Sequence, residues 1–393
     1  MSSEQELQNC DIRVALKGDR YRDKIDDDES TQKVINGTSD ILVPLSNPNS
    51  PSVSRSLGIT KFCFAAVTAF AALIAIYPED VDVNMLNKRR TTEIQLKPSI
   101  LENLASLEDP TSEFETAVFW HIPKAGGTAI ENLYAICSDL VVANEIGCRA
   151  ASRDCEHEDF LEVFLPFKRS PLRVVNVDTT NPDGLVRAGN LGLAESNLAK
   201  IVFTSWLEDA SESLFDSVNK GRVFTLMRHP VDRAVSEFYY LQDADWEPTY
   251  DPKSKGMTIE EYVEHGHIER NWMVSGLVKN FQGEILQADL EEAKQLLREK
   301  VLIGLLSNME ESIYRFDRYF GFHNIERNKE CFDNIIHDKG SKTNRHEHPK
   351  LEPGSSEWKL LAKVNTFDVQ LYEYAVELFE EQKSLFNDAE EGG

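Results

Sequence analysis

Eight consecutive residues, His121-Ile122-Pro123-Lys124-Ala125-Gly126-Gly127-Thr128, place a lysine, two glycines and a hydroxyl directly behind an apolar run. Gly126 and Gly127 let the backbone bend so that its N–H groups converge on an anion. A helix opening near Thr128 adds the positive end of its dipole. Lys124 supplies a point charge and Thr128 a hydroxyl, so the chemistry on offer is the cradling of a phosphate or sulfate. The lysine precedes the glycines, whereas the loop of a nucleotide triphosphatase ends in Gly-Lys-Ser/Thr. A kinase or triphosphatase also needs an acidic residue at a strand end to hold Mg²⁺. The runs IVFTSW and VFTLMR offer none directly.

A second constellation lies about 100 residues on, Arg228-His229-Pro230-Val231-Asp232-Arg233-Ala234-Val235-Ser236, followed by Glu-Phe-Tyr239-Tyr240. Pro230 suits the first turn of a helix, where its missing N–H costs nothing. Arg228 then sits at a strand end and Ser236 two turns into the helix. An arginine fork and a hydroxyl so placed bind a second phosphate. Either stretch alone could be an ordinary turn or a solvated helix. Two of them, each at a strand-to-helix junction, are far more specific.

The elements that must position these residues are legible as alternating patterns. TAVFWHI (Thr116 to Ile122), KIVFT (Lys200 to Thr204), RVFTLM (Arg222 to Met227) and VLIGLL (Val301 to Leu306) read as buried strands. Ile130, Leu133, Tyr134 and Cys137 share a helical face, as do Val231, Ala234, Val235 and Phe238. A last long helix is expected over about Thr366 to Gln382. Strand and helix in alternation predict an α/β domain over residues 111–385, with a P-loop-type parallel sheet flanked by helices.

Ahead of this domain the pattern changes. Residues 1–57 are polar and charge-rich, with Ser, Pro and Asn between Asp40 and Ser56, and read as a disordered tail. Phe62 to Tyr77 is uncharged and apolar, and with Leu57 to Thr60 the run reaches about 20 residues, enough for a single transmembrane helix over 58–77. Arg55 and Lys61 precede it, while Glu79, Asp80 and Asp82 follow, which predicts a cytosolic N-terminus, a type II arrangement, a stem over 78–110 and a lumenal domain. The one glycosylation sequon, Asn36-Gly37-Thr38, falls on the cytosolic side. Cys137, Cys148, Cys155 and Cys331 would then face an oxidising lumen, where three pairings are open and Cys148 with Cys155 closes the shortest loop.

Net charge excludes one class and narrows another. The 393 residues carry a formal charge of −25, which repels nucleic acid on average. Residues 1–61 hold 8 basic and 10 acidic residues, leaving 34 basic and 57 acidic beyond the apolar run, a net of −23.

The two motifs together resemble those of sulfotransferases that use 3′-phosphoadenosine 5′-phosphosulfate (PAPS). The first is similar to that family's 5′-phosphosulfate loop, and the second to its 3′-phosphate motif, Arg-x-Pro-x-x-Arg-x-x-Ser-x-x-Tyr. The likeness is greatest to Golgi carbohydrate sulfotransferases, above all the heparan sulfate 2-O- and 6-O-sulfotransferases. It continues through Arg270-Asn271-Trp272-Met273 before Leu277, through Val301 to Gly321, and through Asn365 to Phe379, covering about residues 115 to 382. The resemblance implies a Golgi membrane protein that transfers a sulfuryl group from PAPS to a hydroxyl of a glycan, glycoprotein or glycolipid, with no metal. Lys124, Ala125, Gly126, Gly127, Thr128 and Ala129 would hold the 5′-phosphosulfate, Arg228 and Ser236 the 3′-phosphate. The Lys342-Thr343-Asn344 loop would close over the nucleotide. Lys124 would also be catalytic, stabilising charge on the leaving phosphate oxygen.

One departure from the family pattern matters. The 2-O- and 6-O-enzymes use a histidine base shortly after the strand before the second motif, and the matching stretch here, Phe203 to Phe215, has none. Glu145, 21 residues after Lys124, is the candidate base by analogy with other carbohydrate sulfotransferases, with Glu208 and Asp209 as rivals. His121 resembles a histidine of the 6-O-enzymes and would shape the loop. The strong negative charge favours a neutral or lightly charged acceptor over a polyanion. The alternative is a catalytically impaired PAPS-binding protein that acts as a partner module.

Overall fold

The four expected strands form because each is a short run of β-branched and large apolar residues that can be buried on both faces. The computed structural model of the chain places them at β1 (Thr116–Trp120), β5 (Ile201–Thr204), β6 (Gly221–Met227) and β7 (Val301–Leu305), with every residue of the four buried. Three shorter strands, β2 (Val141–Ala143), β3 (Val163–Phe164) and β4 (Arg173–Val175), complete a seven-stranded sheet in the order β3-β4-β2-β5-β1-β6-β7. The structure describes residues 96–149, 158–168, 170–245, 247, 249–325, 327–337 and 348–389.

Alternation along the strands divides the core. Val118 and Trp120 of β1 face a layer built by the helices Pro182–Asn190, Leu207–Ser213, Trp272–Val278, Gln287–Lys300 and Thr366–Glu381. Ala117 and Phe119 face the other layer, built by Gly127–Asn132, its π-helical continuation Leu133–Cys137 and the helix Met309–Tyr319. The helix Pro230–Leu241 packs in a cluster of its own with Ile259–Glu264 and Ser356–Val364.

The expected fold class is corrected in two respects. The sheet is mixed: six strands run parallel, but β3 pairs antiparallel with β4 at the edge. Among the described residues no helix is long and apolar enough to cross a membrane. The span expected over 58–77 and the tail over 1–57 lie outside the described residues.

Residues 96–110, assigned by sequence to the stem, pack into the domain, with Leu96, Ile100, Leu104, Ala105 and Leu107 all buried. The Lys300 ammonium donates to the carbonyls of Leu101 (3.2 Å) and Leu104 (2.9 Å). The buried Arg222 guanidinium grips Glu115 with two bonds, 2.6 and 2.9 Å, and the Ser106 carbonyl at 3.0 Å. A lysine and an arginine at such depth are tolerated because their donors are matched.

Topology then selects a place for a site. From β1 the chain crosses over β5 to β2, whereas from β6 it travels to β7 on the opposite side. Adjacent strands whose chains depart in opposite directions open a crevice at their carboxyl ends, where α/β sheets bind ligands.

Candidate functional site

Both motifs lie at that crevice. The loop after β1 is anchored at its first residue: the His121 N–H donates to the Thr204 carbonyl (2.8 Å), and the Ser205 hydroxyl donates to the His121 carbonyl (2.7 Å). The chain then turns sharply, with Lys124 at φ 64° and Gly126 at φ 93°. A lysine in the left-handed region costs about 1–2 kcal/mol, so the surrounding structure must impose it. The helix Gly127–Asn132 follows at once, and the Gly126 carbonyl closes its first turn by accepting from the Ala129 (3.0 Å) and Ile130 (3.3 Å) N–H groups. A Cβ on Gly127 would come within 2.2 Å of the His121 ring, so only glycine lets loop and helix approach this closely. Burial lowers the His121 imidazole to about 4 and leaves it neutral. That suits the loop-shaping role expected of it. Ala125 is buried, so its side chain serves the core.

The second motif meets the first directly. An Nη1 of Arg228, at the end of β6, donates to the Lys124 carbonyl at 3.0 Å. The Lys124 ammonium lies 3.5 Å from the centre of the Tyr240 ring, four residues beyond Ser236 on the helix Pro230–Leu241. Ser236 and Tyr240 therefore share a helix face. Burial lowers the Lys124 ammonium to about 8, against the opposing pull of Glu237, while Arg228 lowers it further. Arg228 is likewise lowered by burial. The Arg228 charge makes the charged form of Lys124 costlier, a cost that a nearby negative charge would offset.

Around this pair stand Glu237, which the motif pattern does not mark, and Arg233 and His229, which belong to the second motif. Glu237 is buried one residue after Ser236, with Arg233 3.4 Å away, and burial raises its carboxyl well above the usual range. Arg233 also faces Glu269 at 3.5 Å and the Trp272 ring at 5.6 Å. His229 caps its helix by accepting the Val231 N–H at 3.3 Å. No spacing rule marks Glu237 or Tyr240, because both need the helix docked against the loop before they acquire a neighbour.

The expected base candidates separate. Glu145 is exposed, at the end of β2. Beside it Glu131, one turn into the loop helix, accepts from the Asn144 amide, and burial first and Glu145 second raise its carboxyl to about 7. Glu208 is buried and paired with Lys97, and Lys279 reaches it at 3.9 Å and Asp209 at 2.7 Å. Lys342, Thr343 and Asn344 lie outside the described residues. His348, the first described residue beyond them, stacks its ring on Tyr239 of the second-motif helix at 5.5 Å. Cys137 and Cys331 are joined, which leaves one of the three pairings the sequence allowed, and Cys155 lies outside the described residues.

Compared with known proteins, the chain matches no family model and no curated sequence. Its function is therefore read from the two motifs and their geometry.

Proposed function

We propose that the chain is a PAPS-dependent sulfotransferase that moves a sulfuryl group to a hydroxyl of a carbohydrate acceptor. The observation that carries this reading is the meeting of the two motifs at the ends of adjacent strands, with Arg228 bonded to the Lys124 carbonyl at 3.0 Å. Two cations, a left-handed turn and a helix N-terminus suit a donor that bears a phosphate at each end. Bound PAPS would supply the activated sulfuryl group. Residues 124–129 would hold its phosphosulfate end. Arg228 and Ser236 would hold its 3′-phosphate, with Lys342, Thr343 and Asn344 closing over it. Lys124 and the loop N–H groups would neutralise negative charge as it develops.

Glu145 is the favoured base within this reading. It is exposed at the end of β2, beside Glu131 of the helix that follows the loop, whereas Glu208 is buried. The acceptor class is a neutral or lightly charged glycan, glycoprotein or glycolipid, in keeping with the net charge of −25. The Cys137–Cys331 disulfide supports an oxidising compartment such as the Golgi lumen.

One observation favours the second reading, an impaired PAPS-binding module: no histidine occurs between Phe203 and Phe215, where the resembled enzymes carry their base. The two are separated by sulfate transfer from radiolabelled PAPS to a panel of neutral and acidic glycans, with Lys124→Ala as control. Labelled glycan that vanishes in the variant establishes the transferase. Binding of 3′,5′-ADP without any labelling supports the module. Loss of both overturns the proposal.

A further inference from the structure

Four aromatic rings run from the centre of the sheet to the surface beside the loop. Trp120, the last residue of β1, is fully buried and stacks on Trp272 with centroids 6.2 Å apart. Trp272 meets Phe281 at 6.3 Å, and Phe281 meets Trp206 at 5.4 Å. The outer pair is not sealed: Trp206 is half-buried, and Phe281 is 44% exposed. A single exposed aromatic needs no explanation, but Phe281 packs at 59° against Trp206 and at 56° against Trp272, itself stacked on the buried Trp120, which holds the outer rings in place.

Position gives this surface its meaning. Trp206 directly follows Ser205, whose hydroxyl holds the first residue of the anion loop through the His121 carbonyl. Its indole N–H donates to the Thr180 carbonyl at 3.0 Å, which fixes the ring plane. Within the series the Arg233 guanidinium of the second motif faces Trp272. The series thus adjoins the residue that anchors the loop and one side chain of the second motif.

The rim is polar and balanced in charge. Lys279 bonds Asp209 at 2.7 Å, and Lys97 pairs with Glu208. The second oxygen of Asp209 is buried without a hydrogen-bond partner among the described residues. Lys279, two residues before Phe281, is held in the left-handed region at φ 53°. Strain of this kind persists where the surroundings demand a particular geometry. Two rings inclined at 59° to one another, with hydrogen-bonding groups nearby, form an apolar corner that suits the C–H face of a pyranose, whose hydroxyls point outward. Two carboxylates against two ammonium groups leave no net positive charge with which to hold a polyanion.

We infer that Trp206 and Phe281 form a platform on which a neutral sugar ring of the acceptor stacks, next to the anion loop. The inference rests on the transferase reading and adds the place and chemical class of the acceptor.

The test uses the full-length protein, saturated with 3′,5′-ADP, and ligand-observed NMR with two probes: a neutral β-linked hexasaccharide and a heparan hexasaccharide. Calorimetry of 3′,5′-ADP runs in parallel on each variant. Neutral hexasaccharide binding is expected to weaken about tenfold in Phe281→Ala, and more in Trp206→Ala, while Trp206→Phe retains most of it. Affinity for 3′,5′-ADP should stay within about twofold throughout, which also reports that the variants fold. Unchanged saccharide binding in Phe281→Ala and Trp206→Ala overturns the platform. So does a wild-type protein that binds 3′,5′-ADP but only the heparan probe, or neither. Failure of the wild type to bind 3′,5′-ADP overturns the transferase reading itself, and the platform with it.

Discussion

Lys124 concentrates what the site does. It is left-handed, bonded through its carbonyl to Arg228, and laid on Tyr240. Burial has brought its ammonium to about 8, so the charge is present at pH 7 and lost as pH rises through that value. His121 stays neutral across this range. Affinity for 3′,5′-ADP should therefore fall several-fold between pH 7 and pH 9. Lys124→Arg should flatten the decline, because a guanidinium keeps its charge. Calorimetry across the pH series decides it, and an equal slope in the variant would remove Lys124 as the cause. Lys124 and Arg228 were legible as candidates because their positions follow apolar runs. Tyr240 and Glu237 were not, since their role depends on which way one helix turns.

At the scale of elements, the site wall depends on two helices that cap each other. The Asp368 carboxylate accepts the N–H groups of Met273 and Val274, both at 2.9 Å, at the start of Trp272–Val278. In return the Asn271 side chain accepts the N–H groups of Phe367 (3.0 Å) and Asp368 (3.3 Å). Asp368 is fully buried, so its removal leaves two buried donors without partners. Asp368→Ala should cost about 2–4 kcal/mol in denaturant unfolding, and Asp368→Asn less, because one acceptor remains. A loss below about 1 kcal/mol would mean that water takes over the cap. The long strands were readable as unbroken apolar runs. The strands β2, β3 and β4 were not, because two or three residues carry too little periodicity to register.

For the molecule as a whole, the Cys137–Cys331 disulfide ties the end of the loop helix to the helix Lys329–Ile336 across 194 residues. A crosslink over so long a loop restrains the unfolded chain, and its loss should cost about 2–5 kcal/mol. Cys137→Ser should lower the unfolding midpoint accordingly, and the wild type under reducing conditions should match it. Equal stability with and without the bond would count against any need for an oxidising compartment.

The amino-acid sequence alone determined the alternating α/β pattern and the two motifs at strand-to-helix junctions, because both are local: apolar runs specify strands, and glycine, lysine and proline mark the turns and helix starts behind them. Only the tertiary structure decided that Cys137 joins Cys331, that Leu96, Ile100, Leu104 and Leu107 belong to the core, that the edge strand runs antiparallel, and that Arg228 reaches the Lys124 carbonyl. These are contacts between positions far apart in the chain. Their partners are selected by how the layers pack, and no residue spacing records that choice.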